Sequence, residues 1–213
     1  MSSASIPRQS RRAVVAALGA AALSGPALAA PAQKIVTLLG DSITAGYGLA
    51  QKDALPAQLE LALRRLGVEA QVHGAGVSGD TTGDGLARVD YSVRVDTALC
   101  LVALGGNDLL QGADPAETRA NLIAILARLK ARHIRAALTG MRAPAQIGAA
   151  FAHDFNAVFP AAAKAGHVPL YPFLLEGVAG NQALLQGDHI HPNPAGVKII
   201  AARLAPFVAK ILK

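Results

Sequence analysis

The chain has 213 residues, which is enough for one compact α/β domain and barely enough for two. Hydrophobic residues make up 52% and charged residues 16%, so a large core can form and general disorder is excluded. Aromatic residues are only 4% and tryptophan is absent, which argues against a platform for stacking nucleic-acid bases. Three of the 20 basic residues precede Ala30, which leaves 17 against 14 acidic residues, or +3, and no nucleic-acid partner is expected.

The first 29 residues have the pattern of a secretory signal peptide. A basic stretch ends at Ser10-Arg11-Arg12, an apolar run follows over Ala13–Leu23, and Ala27-Leu28-Ala29 is a small-x-small cleavage pattern. The arginine pair also fits a twin-arginine export signal, although the usual aromatic residue is missing. The alternative is a single membrane anchor, but the run is short for a bilayer of roughly 30 Å. We expect residues 1–29 to be cleaved and residues 30–213 to form one periplasmic or secreted domain without a stable membrane anchor.

Cys100 is the only cysteine, so no disulfide can form within the chain. It lies in the apolar run Ala98–Val102, where a buried structural thiol is expected. No cysteine directly follows the cleavage pattern, where Ala30 stands instead, and this excludes a lipoprotein anchor at the mature N-terminus. These observations favour export as a free, soluble protein.

Strands and helices alternate along the rest of the chain. Five short apolar runs are predicted to be strands: Lys34–Leu39, Ala70–His73, Thr97–Leu104, Arg135–Thr139 and His167–Tyr171. Helical patterns separate or follow them: a short one after Asp80, and longer ones over Leu55–Leu66, from Asp114-Pro115 onward, over Ala149–Ala165 and over Pro194–Ile211. This alternation predicts an α/β three-layer sandwich, with a five-stranded parallel sheet flanked by helices.

Ligands of open parallel sheets bind beyond the carboxyl ends of the strands. In this chain those ends lead into Gly40-Asp41-Ser42, Gly74–Asp80 and Gly105–Asp108. Each of the three loops combines small residues with one or two polar ones. We therefore expect the loops to converge on one rim, where a ligand can approach the backbone closely.

Ser42 is the candidate nucleophile at the first of these turns. Gly-Asp-Ser alone is not specific, because it occurs in many loops and serine often caps helices. A hydroxyl attacks an acyl carbon only when a base removes its proton, and that base needs an orienting carboxylate. Asp188 and His191 lie on one later loop and supply both groups. The residues therefore predict a Ser42–His191–Asp188 triad.

Acyl transfer also needs hydrogen-bond donors for the oxyanion of its tetrahedral intermediate. The backbone N–H of Gly79 and the side-chain amide of Asn107 lie on the two neighbouring loops, and the N–H of Ser42 completes a three-donor hole. Each residue has a simpler explanation, since Gly79 fits a tight turn and Asn107 fits a helix cap. Four loops that supply nucleophile, donors and base at one rim favour the catalytic interpretation.

Taken in order, four segments resemble the sequence blocks of the SGNH hydrolases, also called GDSL esterases and lipases. The segments are Gly40–Gly48, Val77–Thr81, Leu104–Asp108 and Asp188–Asn193, and the resemblance extends from about residue 34 to residue 212. It is to the branch of exported thioesterase I, arylesterase and lysophospholipase L1 enzymes. The resemblance implies a flavodoxin-like fold, the triad and oxyanion hole named above, and no metal or organic cofactor.

The implied activity is hydrolysis of a small-molecule carboxylic ester or thioester through an acyl-enzyme. Removal of O-acetyl groups from carbohydrate is the alternative within the family, and the sequence leaves acyl length, leaving group and oligomeric state open. Met141-Arg142-Ala143-Pro144 resembles the Met-Arg loop beside the family's substrate cleft. Candidate substrate-binding residues are Asp41, Leu109, Met141, Arg142, Pro144 and His189.

The chain departs from the family pattern at a few positions. Gly74 stands where the second block usually has asparagine, and His189 stands where the last block usually has glycine. Leu109 follows the third block in place of a common glycine. None of these changes removes a catalytic group.

Three rival interpretations remain open on the residues. Gly74–Gly79 also spells a dinucleotide-binding fingerprint, but it follows the second strand, and Asp80 would repel a pyrophosphate. Asp188, His189 and His191 have the residue types of a metal site. A non-catalytic lipid- or carbohydrate-binding module is the third, and it would leave an intact triad idle.

Overall fold

Five parallel strands form the centre of a computed structural model, which describes Met1 and residues 33–213. The predicted signal peptide, residues 1–29, lies outside the described residues except for Met1. In chain order the strands are β1 (Lys34–Gly40), β2 (Ala70–Gly76), β3 (Leu99–Ala103), β4 (Ala136–Thr139) and β5 (Leu170–Tyr171). Their spatial order is β2-β1-β3-β4-β5, and every neighbouring pair is parallel.

Helices cover both faces of this sheet. They are α1 (Ser42–Ala45), α2 (Leu55–Arg65), α3 (Thr82–Ser92), α4 (Gly106–Gln111), α5 (Pro115–Ala131), α6 (Ala149–Gly166) and α7 (Pro194–Leu212). Leu99 and Leu101 of β3 enter a core with α2 and α7, whereas Cys100 and Val102 enter a core with α3, α5 and α6. The predicted three-layer α/β sandwich with a five-stranded parallel sheet is confirmed.

The helices that follow the strands begin at capping residues. Asp114 accepts a hydrogen bond from the N–H of Ala116 at the start of α5, with Pro115 in the first turn as predicted. Thr81 and Asp84 form a capping box at the start of α3. Asn193 caps α7, and this fixes the end of the loop that carries Asp188 and His191. Local sequence therefore determines where the site-bearing loops end.

The second strand is longer than predicted. It continues beyond His73 to Gly76 because it pairs with β1 along all seven residues of both strands. A Cβ atom at Gly76 would collide with the backbone of Asp41 and Ala45, so this glycine permits α1 to pack close to β2. The first two glycines of the apparent dinucleotide fingerprint thus belong to a paired strand.

The loop predicted after β3 contains the first turn of α4. Gly105, with φ of 110°, precedes this helix, and Asn107 and Asp108 lie in its first turn. The third strand spans Leu99–Ala103, shorter than the predicted Thr97–Leu104. The fifth begins at Leu170 because His167, at the end of α6, has left-handed backbone geometry with φ of 52°.

Cys100 is fully buried in β3, and burial raises the pKa of its thiol to about 12. Its surroundings are the apolar side chains between the sheet and one helix layer.

Among the described residues, no helix has both the length and the apolar character needed to cross a membrane.

Candidate active site

The candidate nucleophile lies at the tight turn between β1 and α1. Ser42 is the first residue of α1, and the carboxylate of Asp41 caps this helix by accepting the N–H of Ile43 at 3.0 Å. The helix lasts one turn and ends at Gly46, whose φ of 75° is left-handed. This short turn places Ser42 at the carboxyl end of the sheet, where the strand pattern predicted a ligand site.

The loop before α7 brings a histidine and a carboxylate to Ser42. Nε2 of His191 lies 2.8 Å from Oγ of Ser42, and Nδ1 of His191 lies 2.6 Å from Oδ2 of Asp188. A carboxylate can only accept, so Nδ1 carries the proton and Nε2 accepts from the serine hydroxyl. The structure thus brings together the three residues predicted as a triad, in the geometry of nucleophile, base and orienting acid.

Asp188 is held as a carboxylate by its own loop. Its Oδ1 atom accepts the backbone N–H groups of Ile190 and His191, each at 3.0 Å. The hydrogen bond from the His191 ring, followed by these two backbone donors, holds the pKa of Asp188 far below its ordinary value. The predicted alternative of a metal shared with His189 has no support in this geometry. Within residues 33–213 no three potential ligand side chains cluster as a metal site would require.

Asp41 has the opposite electrostatic environment. Its side chain is buried beneath the nucleophile, and burial raises its pKa from 3.8 to about 6. The N–H of Ile43 and the His191 ring, when it is protonated, oppose this shift in the pKa of Asp41, while the Asp80 carboxylate adds to it. A carboxyl group whose pKa is raised to about 6 by burial therefore lies next to Ser42.

The predicted oxyanion donors lie on three neighbouring connections. The N–H of Ser42 is at the N-terminus of α1, where the first N–H groups of a helix have no intrahelical acceptor. Gly79 occupies an exposed turn with φ of 92°, which favours glycine, although a Cβ there would meet no atom. Asn107 donates one amide hydrogen to the carbonyl oxygen of Asp80 at 2.8 Å, and this leaves its second hydrogen for a ligand.

A cavity of about 200 Å³ opens beside the triad. Most of its lining is apolar, and its polar or charged residues are Asp41, Ser42, Asn107, Arg142 and His191. The remaining lining residues are Ile43, Gly106, Leu109, Leu110, Met141, Phe173, Leu175, Ala179 and Ile190. An apolar cavity that ends at a nucleophile and an amide donor suits the acyl part of an ester.

Four of the six predicted substrate-binding residues line this cavity: Asp41, Leu109, Met141 and Arg142. Pro144 and His189 do not. Pro144 precedes a 3-10 turn at Ala145–Ile147 that leads away to α6, and His189 is an exposed residue with φ of 59°. Gly79 is also outside the lining, and it is linked to the site through Asp80, the residue that follows it.

The sequence reasoning missed the residues that follow β5. Phe173, Leu175 and Ala179 line the cavity, and the guanidinium of Arg142 lies 5.2 Å from the centre of the Phe173 ring. The rule that ligands bind beyond the carboxyl ends of strands also applies to the fifth strand, so the segment after Tyr171 was a detectable candidate. Tyr47, whose ring packs against His191, was missed because no residue pattern marks such a contact.

Comparison with known proteins gives matches over most of the chain. Residues 38–199 match the family described as GDSL-like Lipase/Acylhydrolase family. "Esterase TesA" of Pseudomonas aeruginosa is 34% identical over 85% of this chain and 90% of its own length. "Thioesterase 1/protease 1/lysophospholipase L1" of Escherichia coli K12 is 37% identical over 83% of this chain and 84% of its own. The crystal structure of AlinE4, described as an SGNH-hydrolase family esterase, is 42% identical, covers 87% of this chain and 100% of AlinE4, and superposes with a TM-score of 0.72.

Proposed function

The chain belongs to the GDSL-like lipase/acylhydrolase family, and on that premise we propose that it hydrolyses small carboxylic esters or thioesters with Ser42 as nucleophile. The SGNH/GDSL resemblance and the acyl-hydrolase class predicted from the sequence are confirmed by the family match and by relatives named esterase and thioesterase. The residues assigned to the reaction, and the identity of the substrate, are the proposal.

The observation that carries the proposal is the hydrogen-bonded series from Ser42 through His191 to Asp188. Its serine end lines the apolar cavity, so the hydroxyl meets any acyl group bound there. Asp188 orients the ring and stabilises its charged form, and the neutral ring accepts the serine proton. A hydrogen-bonded group that only stabilised the fold would not need to lie beside a cavity, so the location of these three side chains supports a catalytic role.

The proposed reaction has two acyl-transfer steps. His191 removes the proton of Ser42 as its oxygen attacks the carbonyl carbon, and the negative charge moves to the carbonyl oxygen. The N–H groups of Ser42 and Gly79 and the amide of Asn107 stabilise that oxyanion. His191 then protonates the departing alcohol or thiol, which leaves an acyl-Ser42 ester. A water molecule deprotonated by His191 releases the acid and restores the serine.

The cavity favours short acyl groups. Its volume of about 200 Å³ is below the roughly 300–1,000 Å³ of typical small-molecule sites. The same observation supports the second candidate, an esterase that removes acetyl groups from carbohydrate, because an acetyl group is the smallest common acyl group. The relatives named esterase and thioesterase favour simple esters and acyl thioesters as the first substrates to test.

The location of the enzyme is also a proposal. The basic, apolar and small-x-small pattern of residues 1–29 supports cleavage and export to the periplasm or beyond. The proposed partners are therefore small acyl substrates met outside the cytoplasm. Fractionation of cells that produce the full chain, with detection of a shortened protein in the periplasm or medium, tests this location.

The deciding experiment measures hydrolysis of p-nitrophenyl acetate, butyrate, octanoate and palmitate by the wild type, Ser42→Ala and Ser78→Ala. Ser78 is an exposed serine in the turn before Gly79 and serves as the matched control. Ser42→Ala should lose roughly 10⁴-fold or more in kcat, and Ser78→Ala should remain close to wild type. A phosphonate should label the wild type once per chain and leave Ser42→Ala unlabelled. Activity that survives Ser42→Ala would overturn the mechanism, and a folded wild type inactive on every ester would favour a binding module.

A further inference from the structure

Arg88 is a buried charged residue that the proposed reaction does not use. It lies on α3, and its side chain is only 7% exposed, as against 11% for its partner Asp80. Removal of a guanidinium from water is unfavourable unless its donors are satisfied. The acceptors of Arg88 therefore indicate what this residue does.

The guanidinium donates hydrogen bonds to three segments at the carboxyl edge of the sheet, where the candidate site lies. Its Nη2 group donates to the carbonyl oxygen of Gly40 at 2.7 Å, two residues before Ser42. Its Nη1 group donates to the carbonyl oxygen of Ala75 in β2 at 2.8 Å. Its Nε group forms a short charged hydrogen bond with Oδ2 of Asp80. One rigid, planar group thus joins the ends of β1 and β2 to the turn before α3.

Asp80 extends this network to the third donor. It directly follows Gly79, and its own carbonyl oxygen accepts the amide of Asn107 at 2.8 Å. That hydrogen bond fixes the amide orientation, with nitrogen toward Asp80 and the second N–H free to point elsewhere. Arg88 therefore holds the backbone two residues before Ser42, and its partner Asp80 directly follows Gly79 and accepts the amide of Asn107.

We propose that Arg88 is a positioning residue for the oxyanion hole, holding the Gly79 turn and the Asn107 amide in register with Ser42 through Asp80. The inference rests on the proposed function and deepens it. Arg88 touches neither the substrate nor the reacting atoms. Its effect is on the geometry of the donors, and a misplacement of about 1 Å costs on the order of 100-fold in rate.

The exposed pair of Arg128 and Asp90 provides the matched control. This ion pair joins α5 to α3, with Nη1 of Arg128 3.1 Å from Oδ2 of Asp90, and both side chains are about half exposed. Arg128→Met should leave the kinetic constants unchanged. Arg88→Met should lower kcat roughly 100-fold and change KM by no more than about twofold, because donors to the oxyanion act on the transition state.

A double-mutant cycle separates positioning from general loss of structure. If Arg88 acts through the donor amide, Arg88→Met should have an effect about tenfold smaller in an Asn107→Ala background than in the wild type. Equal effects in both backgrounds would overturn the proposal. Arg88→Lys keeps the charge but cannot reach three acceptors in one plane, so full recovery of kcat by lysine would also overturn it.

A second variant guards against misfolding. The paired change Asp80→Asn with Arg88→Gln leaves no buried charge without its partner, and its melting temperature and circular dichroism show whether it is folded. A folded double variant with reduced kcat and unchanged KM supports the inference, and one with wild-type kcat contradicts it. Failure of the proposed function itself would be seen in the ester-hydrolysis experiment, either as an inactive wild type or as activity retained by Ser42→Ala.

Discussion

The ring of Tyr47 lies against the imidazole of His191, with centroids 4.7 Å apart and planes inclined by 38°. Tyr47 belongs to the turn that follows the nucleophile, and its carbonyl oxygen accepts the side-chain amide of Gln186 from the loop before His191. The two catalytic segments therefore contact each other outside the triad as well as within it.

Tyr47→Ala should reduce kcat/KM for a p-nitrophenyl ester by about two- to tenfold, since an aromatic pair contributes about 0.5–1.5 kcal/mol and here it orients the base. Tyr47→Phe is the control, because within residues 33–213 the tyrosine hydroxyl has no protein hydrogen-bond partner. Steady-state kinetics with both variants checks the prediction. Equal rates for the alanine and phenylalanine variants would contradict a role for the ring.

Phe173 lines the cavity beside Ser42, and we expect it to limit the length of the acyl group in the proposed function. Replacement of Phe173 by alanine enlarges the cavity, and the ratio of octanoate to acetate hydrolysis should rise by roughly tenfold or more, since one methylene in an apolar pocket changes kcat/KM by about that factor. Phe173→Leu keeps most of the volume and should keep the wild-type ratio. The measurement is kcat/KM across p-nitrophenyl esters. An unchanged ratio in the alanine variant would place the acyl chain elsewhere.

Asp41 should make the stability of the protein depend on pH. Its pKa is raised to about 6, so the folded state binds this proton more tightly than the unfolded state does. The contribution of Asp41 to the free energy of unfolding therefore falls as pH rises from about 4 to about 6. The rise from 3.8 to about 6 corresponds to at most about 3 kcal/mol.

The test is urea unfolding of the wild type and Asp41→Asn between about pH 4.5 and pH 7.5. The asparagine oxygen can still accept the N–H of Ile43, so the helix cap is retained. The variant should gain stability relative to the wild type as pH increases through this range. A stability difference that is constant with pH would show that the Asp41 carboxyl does not titrate there.

His189 occupies a position where the backbone favours glycine. Its φ is 59°, in the left-handed region that costs most residues roughly 1–2 kcal/mol. His189→Gly should therefore be more stable than His189→Ala by about 1 kcal/mol, with kcat/KM within about twofold of wild type in both. Thermal unfolding measures the difference. A more stable alanine variant would contradict the backbone explanation for the glycine usual in the family.

Most of the fold followed from apolar periodicity and capping residues. Leu55, Asp114 and Pro194 mark helix starts within one residue of the observed ones, because a local hydrogen bond or a proline fixes each start. The extension of β2 through Gly76 could not be predicted from the sequence. It depends on pairing with β1 and on the close approach of α1, and neither contact is encoded near Gly76 in the sequence.

The residues of the candidate site also fall into those that the sequence predicts and those that it does not. Ser42, Asp188 and His191 were predictable because acyl-transfer chemistry restricts the residue types and their order. The segment that contains Phe173 was detectable from the strand-end rule, but Phe173 itself and Arg88 were not, because their contacts form only after the segment beyond β5 and α3 have packed. Buried arginine and cavity-lining phenylalanine have no local sequence pattern that separates them from ordinary core or surface residues.

The hydrogen bond between Ser42 and His191 joins residues 149 positions apart, one after the first strand and the other just before the last helix. A contact of such long range can form only when both segments have been synthesised and brought together by the fold. A nascent chain that ends before residue 191 has the proposed nucleophile but not the proposed base. In the proposed mechanism, hydrolysis therefore requires the loop before the final helix to have packed against the first strand, and the appearance of esterase activity would report that step.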